Sequence, residues 1–328
     1  MITESAFKAP WWARSCHIQT LLSATLYRRR AQPVLERETV ELPDGDFLHV
    51  DWSASSHPGE SQPIVLVIHG LQGSSESPYA AALMQATQRR GWLGAVMHFR
   101  GCSGEPNRLD RSYHAAETED LGFVLHMLHA RFPGVPIAAI GFSLGGSVLL
   151  KYLGERGRDA LVECAIAVSV SFDLGASARV LSQGFSRIYQ RRLINSLLAS
   201  LERKFNGQNA PIDMAAARRA RTFYEFDDQV TAPLHGFSSA DEYYRVASCR
   251  QYLKSIRAPT LIVDARDDPF MCQATIPEES ELSDSVTLEL SQHGGHVGFI
   301  GGRWPWRPEF WGDQRIVSFL DEWFRPRT

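Results

Sequence analysis

Ser143 stands between Gly141 and Gly145 in the stretch Ile137-Ala-Ala-Ile-Gly-Phe-Ser-Leu-Gly-Gly-Ser-Val-Leu-Leu-Lys-Tyr-Leu153. Near neutral pH a serine hydroxyl is a poor nucleophile until a base removes its proton. That base must titrate near pH 7, which points to histidine, and the imidazolium it becomes needs a buried carboxylate to orient and stabilise it. Downstream the chain offers Asp267 and Asp268 in Arg266-Asp-Asp-Pro-Phe-Met271, then His293 and His296 in Ser291-Gln-His-Gly-Gly-His-Val-Gly-Phe299. Asp268 is preferred, because an acid followed by Pro-Phe-Met sits at the turn of its loop, whereas Asp267 caps the loop or faces solvent. His296 is preferred, because the glycines around it let the loop reach back. His293, nearer the preceding strand, is expected to pack or hydrogen-bond locally.

These residues need a scaffold. Ile137 to Ile140 reads as a buried strand and Ser147 to Leu153 as a helix, so Ser143 lies on a sharp strand-to-helix turn. This G-x-S-x-G in strand–turn–helix context resembles the nucleophile elbow of α/β-hydrolases, in which chain order runs Ser, Asp or Glu, His. The glycines are required because side chains two residues either side of the serine would strike neighbouring backbone. The apolar run Pro63-Ile-Val-Leu-Val-Ile-His-Gly70 reads as a strand covered on both faces. The loop after it, His69-Gly-Leu-Gln-Gly-Ser-Ser75, falls where that fold builds half of an oxyanion hole, so the expected donors are the Leu71 and Leu144 N–H groups. His69 is expected to orient this loop. Cys102, in Arg100-Gly-Cys-Ser-Gly104, has no elbow and no adjacent base and reads as an ordinary loop thiol.

Further elements follow from pattern. Residues 36–52 read as a hairpin turning at Pro43-Asp-Gly45. Residues 93–99, 165–172, 259–265 and 286–290 read as strands, and 79–90, 117–132 and 313–324 as helices. Between 177 and 254 strand patterning gives way to amphipathic helix over 180–205 and 213–228, expected to form a lid over the pocket. In the N-terminal arm, residues 1–35, Trp11 and Trp12 are expected to pin the arm to the core and His17 to make a structural hydrogen bond. Arg28-Arg-Arg30 is expected at a solvated helix end, 53–62 as a polar loop, and the tryptophan-rich tail 303–311 as core cover beside the histidine loop. The whole predicts one α/β domain, residues 1–328, with a mostly parallel sheet and helices on both faces.

Composition narrows the class. The chain has 328 residues, 44% hydrophobic and 22% charged, as an ordinary globular protein does. A net charge of −3 argues against nucleic acid held by bulk electrostatics. Five scattered cysteines without a C-x-x-C suit a reducing compartment and offer no zinc site. No signal peptide or membrane span is read, so the expectation is a cytoplasmic protein without stable membrane insertion. Oligomeric state is not legible.

His69-Gly-Leu-Gln-Gly-Ser-Ser, Gly141-Phe-Ser-Leu-Gly-Gly, Ala265-Arg-Asp-Asp-Pro-Phe and Gly294-Gly-His-Val-Gly-Phe, with an N-terminal Trp-x-x-x-x-His-x-Gln-Thr, together resemble the YheT-like branch of the α/β-hydrolases over nearly the whole chain. The resemblance implies a serine hydrolase with Ser143, Asp268 and His296 as triad, cleaving carboxylic esters of small molecules or lipid-like compounds without a cofactor or metal. Eukaryotic members of the branch are similar to lipases and phospholipases and carry an N-terminal membrane anchor, which is not read here. An acyltransferase using the same acyl-enzyme, or a catalytically silent binding protein, are the alternatives. Serine at the elbow, where dehalogenases and epoxide hydrolases need a carboxylate, argues against those two chemistries.

Overall fold

The computed structural model describes residues 1–27, 33–53, 62–206 and 209–325, so the Arg28–Arg30 run and most of the 53–62 loop lie outside the described residues. The chain opens with β1 (Ile2–Glu4) and α1 (Cys16–Tyr27), followed by β2 (Leu35–Glu41), β3 (Phe47–Ser53), β4 (Ile64–Ile68), α2 (Pro78–Arg89) and β5 (Leu93–Met97). Then come α3 (Glu119–Arg131), β6 (Ile137–Phe142), α4 (Leu144–Arg156) and β7 (Cys164–Val168). A helical stretch follows: α5 (Leu174–Leu181), α6 (Ser186–Lys204), α7 (Met214–Arg219), α8 (Phe223–Phe226), α9 (Ala232–His235) and α10 (Ala240–Ala247). The chain returns through β8 (Thr260–Ala265), β9 (Val286–Ser291), β10 (Ile300–Trp304), β11 (Arg307–Phe310) and α11 (Trp311–Phe324).

Nine strands form one sheet in the order β1-β9-β8-β7-β6-β4-β5-β3-β2. Pairing is parallel except at the β5-β3-β2 edge. Every residue of β4, β5, β6, β7 and β8 is buried, as strands covered on both faces must be. Alternation along β4 divides the core. Ile64, Leu66 and Ile68 face a layer holding Leu121 and Val124 of α3 and Leu149 of α4. Val65 and Val67 face Leu83 and Met84 of α2 and Ile316 and Leu320 of α11. Truncating one of these leucines to alanine would cost about 2–5 kcal/mol through lost transfer energy and the cavity left behind.

The register decides which loops meet. Ile68 pairs with Gly141 and Phe142 with Val168, while Ala265 pairs with Ser291. The C-terminal ends of β4, β6, β7, β8 and β9 therefore lie along one edge, where parallel α/β sheets gather their chemistry.

Four expectations need correction. The first residues are not merely an arm, because β1 adds to the sheet beside β9, and α1 occupies Cys16–Tyr27, a helix for which only an end near Arg28 was expected, with no start. The helical run expected over 180–205 is two helices, broken after Leu181 and restarting at Ser186. The tail splits: Trp311 packs against Phe7 and Phe299, but Trp304 and Trp306 stack on each other on an exposed β10–β11 hairpin. In the arm Trp12 is the anchor, its Nε1–H donating to the Gly302 carbonyl at 3.1 Å, whereas Trp11 is 66% exposed.

Candidate active site

Ser143 sits between β6 and α4 at φ 50°, ψ −118°, a backbone state that costs a non-glycine residue roughly 1–3 kcal/mol. The neighbours enforce it. A Cβ on Gly141 would lie 2.4 Å from the Gly145 carbonyl oxygen, and one on Gly145 would lie 2.4 Å from the oxygens of Ile68 and His69. The two glycines thus let the elbow close on itself and press against the end of β4. The Ser143 N–H donates to the Val168 carbonyl at 2.8 Å, which holds the turn to the adjacent strand end. Tyr79 of α2 stacks on Phe142 and accepts the Gly70 N–H at 2.8 Å, clamping the loop after β4 to the elbow.

The hydroxyl of Ser143 lies 3.0 Å from Nε2 of His296, and Nδ1 of His296 lies 2.8 Å from Oδ2 of Asp268. A carboxylate only accepts, so the proton belongs on Nδ1 and the Nε2 lone pair is left for the serine O–H. Asp268 is buried, and its Oδ1 accepts the Phe270 N–H at 2.8 Å. His296 is fixed through its backbone, its N–H donating to Thr20 Oγ1 of α1 at 2.9 Å. The next amide, Val297, donates to Ser169 Oγ at 2.9 Å. The Phe270 ring lies flat against the imidazole at a centroid distance of 3.9 Å.

Asp267 and His293 are brought together elsewhere. They face each other at 3.1 Å on the exposed side, and Asp267 Oδ1 also accepts the Gly295 N–H at 3.1 Å. This second pair ties the acid loop to the histidine loop without reaching Ser143.

In the loop after β4 the amides on either side of Leu71 are engaged. Gly70 N–H goes to Tyr79, and Gln72 N–H to the Tyr113 hydroxyl at 2.9 Å. Between them the Leu71 N–H, like that of Leu144 at the start of α4, takes no backbone acceptor among the described residues, and both residues line the same pocket as Ser143. His69, fully buried, donates from Nδ1 to the Gly70 carbonyl at 2.7 Å and accepts the Phe99 N–H at Nε2. Burial pushes its pKa down to about 3, so it stays neutral and cannot act as a base. The Cys102 thiol is pushed up to about 12 by desolvation, which keeps it an unreactive thiol.

The pocket above Ser143 encloses about 1350 Å3, counted to its open mouth. Its wall is largely apolar, with Leu174 and Leu181 of α5, Leu197 and Leu201 of α6 and Phe226 of α8 among the lining residues. One half-buried acid interrupts it: Asp227 accepts from the Tyr244 hydroxyl at 2.7 Å and from Thr231 Oγ1 at 2.6 Å. Desolvation by the surrounding wall pushes Asp227 up to about 6. Among the described residues no three or more His, Cys, Asp or Glu side chains are grouped to hold a metal ion. No described helix is long and apolar enough to cross a membrane.

Sequence reasoning missed Phe270 and Thr20 as neighbours of the histidine. Phe270 follows the chosen acid by two residues, which is a usable signal. Thr20 carries none, because the contact depends on how α1 packs.

The model of the α/β hydrolase fold matches residues 63–302. YheT of Escherichia coli (strain K12), whose name gives a provisional esterase assignment, is 44% identical over 96% of this chain and 92% of its own length. The mouse (Mus musculus) phospholipase ABHD3 is 32% identical over 99% of this chain and 78% of its own. The chain belongs to the α/β-hydrolase family, in its YheT-like branch. Among solved structures, the Pyrococcus furiosus esterase Pf2001 superposes with a TM-score of 0.56 at 16% identity, covering 89% of this chain and 93% of that one, a likeness of fold alone.

Proposed function

We propose that the protein hydrolyses carboxylic esters through an acyl-enzyme on Ser143. His296 Nε2 takes the serine proton as Oγ attacks the ester carbonyl, and Asp268 holds the imidazolium that forms. The oxyanion is bound by the Leu71 and Leu144 N–H groups, each worth about 10²–10³ in rate. His296 then gives its proton to the departing alcohol. Water, deprotonated by the same nitrogen, attacks the acyl carbon, and Ser143 leaves with its proton restored. The observation that carries this reading is the continuous line from Asp268 through His296 to Ser143 at 2.8 and 3.0 Å.

The names of the relatives support an ester or lipid-like substrate, and the apolar pocket wall favours a short- to medium-chain acyl group. In this reading the helices between β7 and β8 act as a lid on one α/β domain. The test is hydrolysis of p-nitrophenyl esters of increasing acyl length, with fluorophosphonate labelling, for the wild type and Ser143→Ala. Turnover should fall by about 10⁴-fold or more in the variant, with labelling lost. Equal turnover in both would refute the role given to Ser143.

A further inference from the structure

Large apolar side chains do not emerge at random from this surface. Eleven are exposed among the described residues, and seven of them belong to three short segments: Trp11, Ile18 and Leu21, then Phe185 and Ile188, then Trp304 and Trp306. Ile18 and Leu21 lie three apart on the outward face of α1, while Gln19 and Ser23 turn inward. Phe185 and Ile188 are likewise three apart, at the start of α6. The segments are joined. The His17 ring lies 4.3 Å from that of Phe185, and its Nδ1 is 3.2 Å from the Tyr189 hydroxyl. The Trp12 side chain ties the arm to the hairpin at Gly302. A monomer rarely leaves so much apolar surface together without a use for it.

The charge on two of the three segments is one-sided, and the hairpin adds Arg303 and Arg307 with one exposed acid, Glu309. Residues 11–27 hold Arg14 and no acid, and residues 185–201 hold Arg187, Arg191 and Arg192 and no acid. All four arginines are exposed. The two segments therefore carry four positive charges in a chain whose net charge is −3. Exposed tryptophan and isoleucine beside arginine is the chemistry of the headgroup boundary of an anionic bilayer, where indole rings settle and guanidinium groups meet phosphate. The ridge also borders the candidate site. Behind Phe185, the Tyr189 ring reaches Phe270 at 5.2 Å, Phe270 stacks on His296, and Ser186 Oγ donates to the Pro269 carbonyl at 2.8 Å.

We propose that the ridge formed by Trp11, α1, the start of α6 and the β10–β11 hairpin docks the protein reversibly on anionic lipid surfaces. The docking is peripheral, with side chains at headgroup depth and no segment crossing the bilayer, and it brings the loop of Asp268 and Phe270 near the lipid boundary. It stands apart from the catalytic reading, since binding requires neither Ser143 nor turnover.

Flotation of the full chain with phosphatidylcholine vesicles, with and without one-third phosphatidylglycerol, tests it, using Ser143→Ala beside the wild type. Both proteins should bind the anionic vesicles, bind phosphatidylcholine alone far more weakly, and release as salt rises to about 0.5 M. Ile188→Asp and Trp306→Ala should each weaken binding about tenfold, and Arg191→Ala about fivefold on anionic vesicles only. These positions are exposed, so hydrolysis of a soluble short-chain p-nitrophenyl ester should continue and would report an intact fold. No binding to anionic vesicles at millimolar lipid, or binding indifferent to these substitutions, would overturn the proposal. So would a dimer that Ile188→Asp dissociates without any vesicle binding, because the ridge would then serve a second copy of the chain.

Discussion

The phenyl ring of Phe270 lies parallel to the imidazole of His296, with the planes within 4° and the centroids 3.9 Å apart. The same loop supplies Asp268, so one short segment grips the imidazole at its edge by a hydrogen bond and across its face by stacking. An aromatic face also favours a cation above it, and the imidazole becomes one when it takes the serine proton.

Removing the ring should therefore act on the chemical step. Phe270→Ala is expected to lower kcat by about 10–100-fold, the scale set by a displaced catalytic group, while Phe270→Tyr stays within a few-fold of wild type. Steady-state kinetics on a soluble ester separates kcat from KM. A loss confined to KM would mean that Phe270 only lines the pocket.

The two acids of the loop divide their roles by geometry. Asp268 meets the imidazole from a buried position, and Asp267 meets the exposed His293. Asp268→Asn presents an amide where Nδ1–H needs an acceptor and favours the wrong tautomer, which should lower kcat by about 10⁴-fold. Asp267→Asn and His293→Ala should each change kcat by less than about tenfold, since they loosen the loop without touching the imidazole. A comparable collapse in Asp267→Asn would reverse the assignment.

The elbow was legible because Gly141, Ser143 and Gly145 have no alternative: the 2.4 Å clashes that a Cβ would meet exist wherever a strand turns this sharply into a helix. The buried strands were legible because a parallel sheet covered on both faces demands uninterrupted apolar residues. Helix α1 was not. Its core-facing side holds Gln19, whose amide donates to the carbonyls of Ala13 and Ile300 and accepts the Ile300 N–H. The side it buries carries the polar Gln19 and Ser23 while Ile18 and Leu21 face outward, so apolar pattern does not tell which face meets the core. Three-residue β1 was hidden for a related reason, because its support comes from β9, more than 280 residues away. The exposed pair Trp304 and Trp306 misled, since tryptophan in a sequence reads as core.

His69 provides a pH test whose sign is fixed by its environment. Its folded pKa, about 3, lies below the ordinary value of 6.5, so below pH 6.5 the unfolded chain takes up a proton that the folded chain refuses. Its contribution to stability is fully present above pH 6.5 and is lost on acidification, by about 1.4 kcal/mol per pH unit. His69→Gln should cost stability at pH 8, where two hydrogen bonds are disturbed, and that cost should be about 2 kcal/mol smaller at pH 5. Urea unfolding of both proteins at the two pH values measures the difference. A cost independent of pH would mean that His69 already binds a proton in the folded chain.

Asp264 presents the opposite sign. It lies in β8, four residues before Asp268, and is fully buried. Its Oδ1 accepts the Val170 N–H at 2.9 Å, and its Oδ2 has no partner among the described residues. Burial, reinforced by the charge of Asp268, pushes its pKa well above the ordinary carboxylate range. The folded chain thus keeps a proton that the unfolded chain releases as pH rises past about 4, and stability is lost progressively on going alkaline. Asn has nearly the same shape, is neutral at every pH and retains a carbonyl oxygen for the Val170 N–H. Asp264→Asn should therefore be more stable than wild type at pH 8, with the gain shrinking towards pH 5. Denaturation at the two pH values decides the matter. A variant no more stable than wild type at pH 8 would mean that the folded chain holds Asp264 ionised.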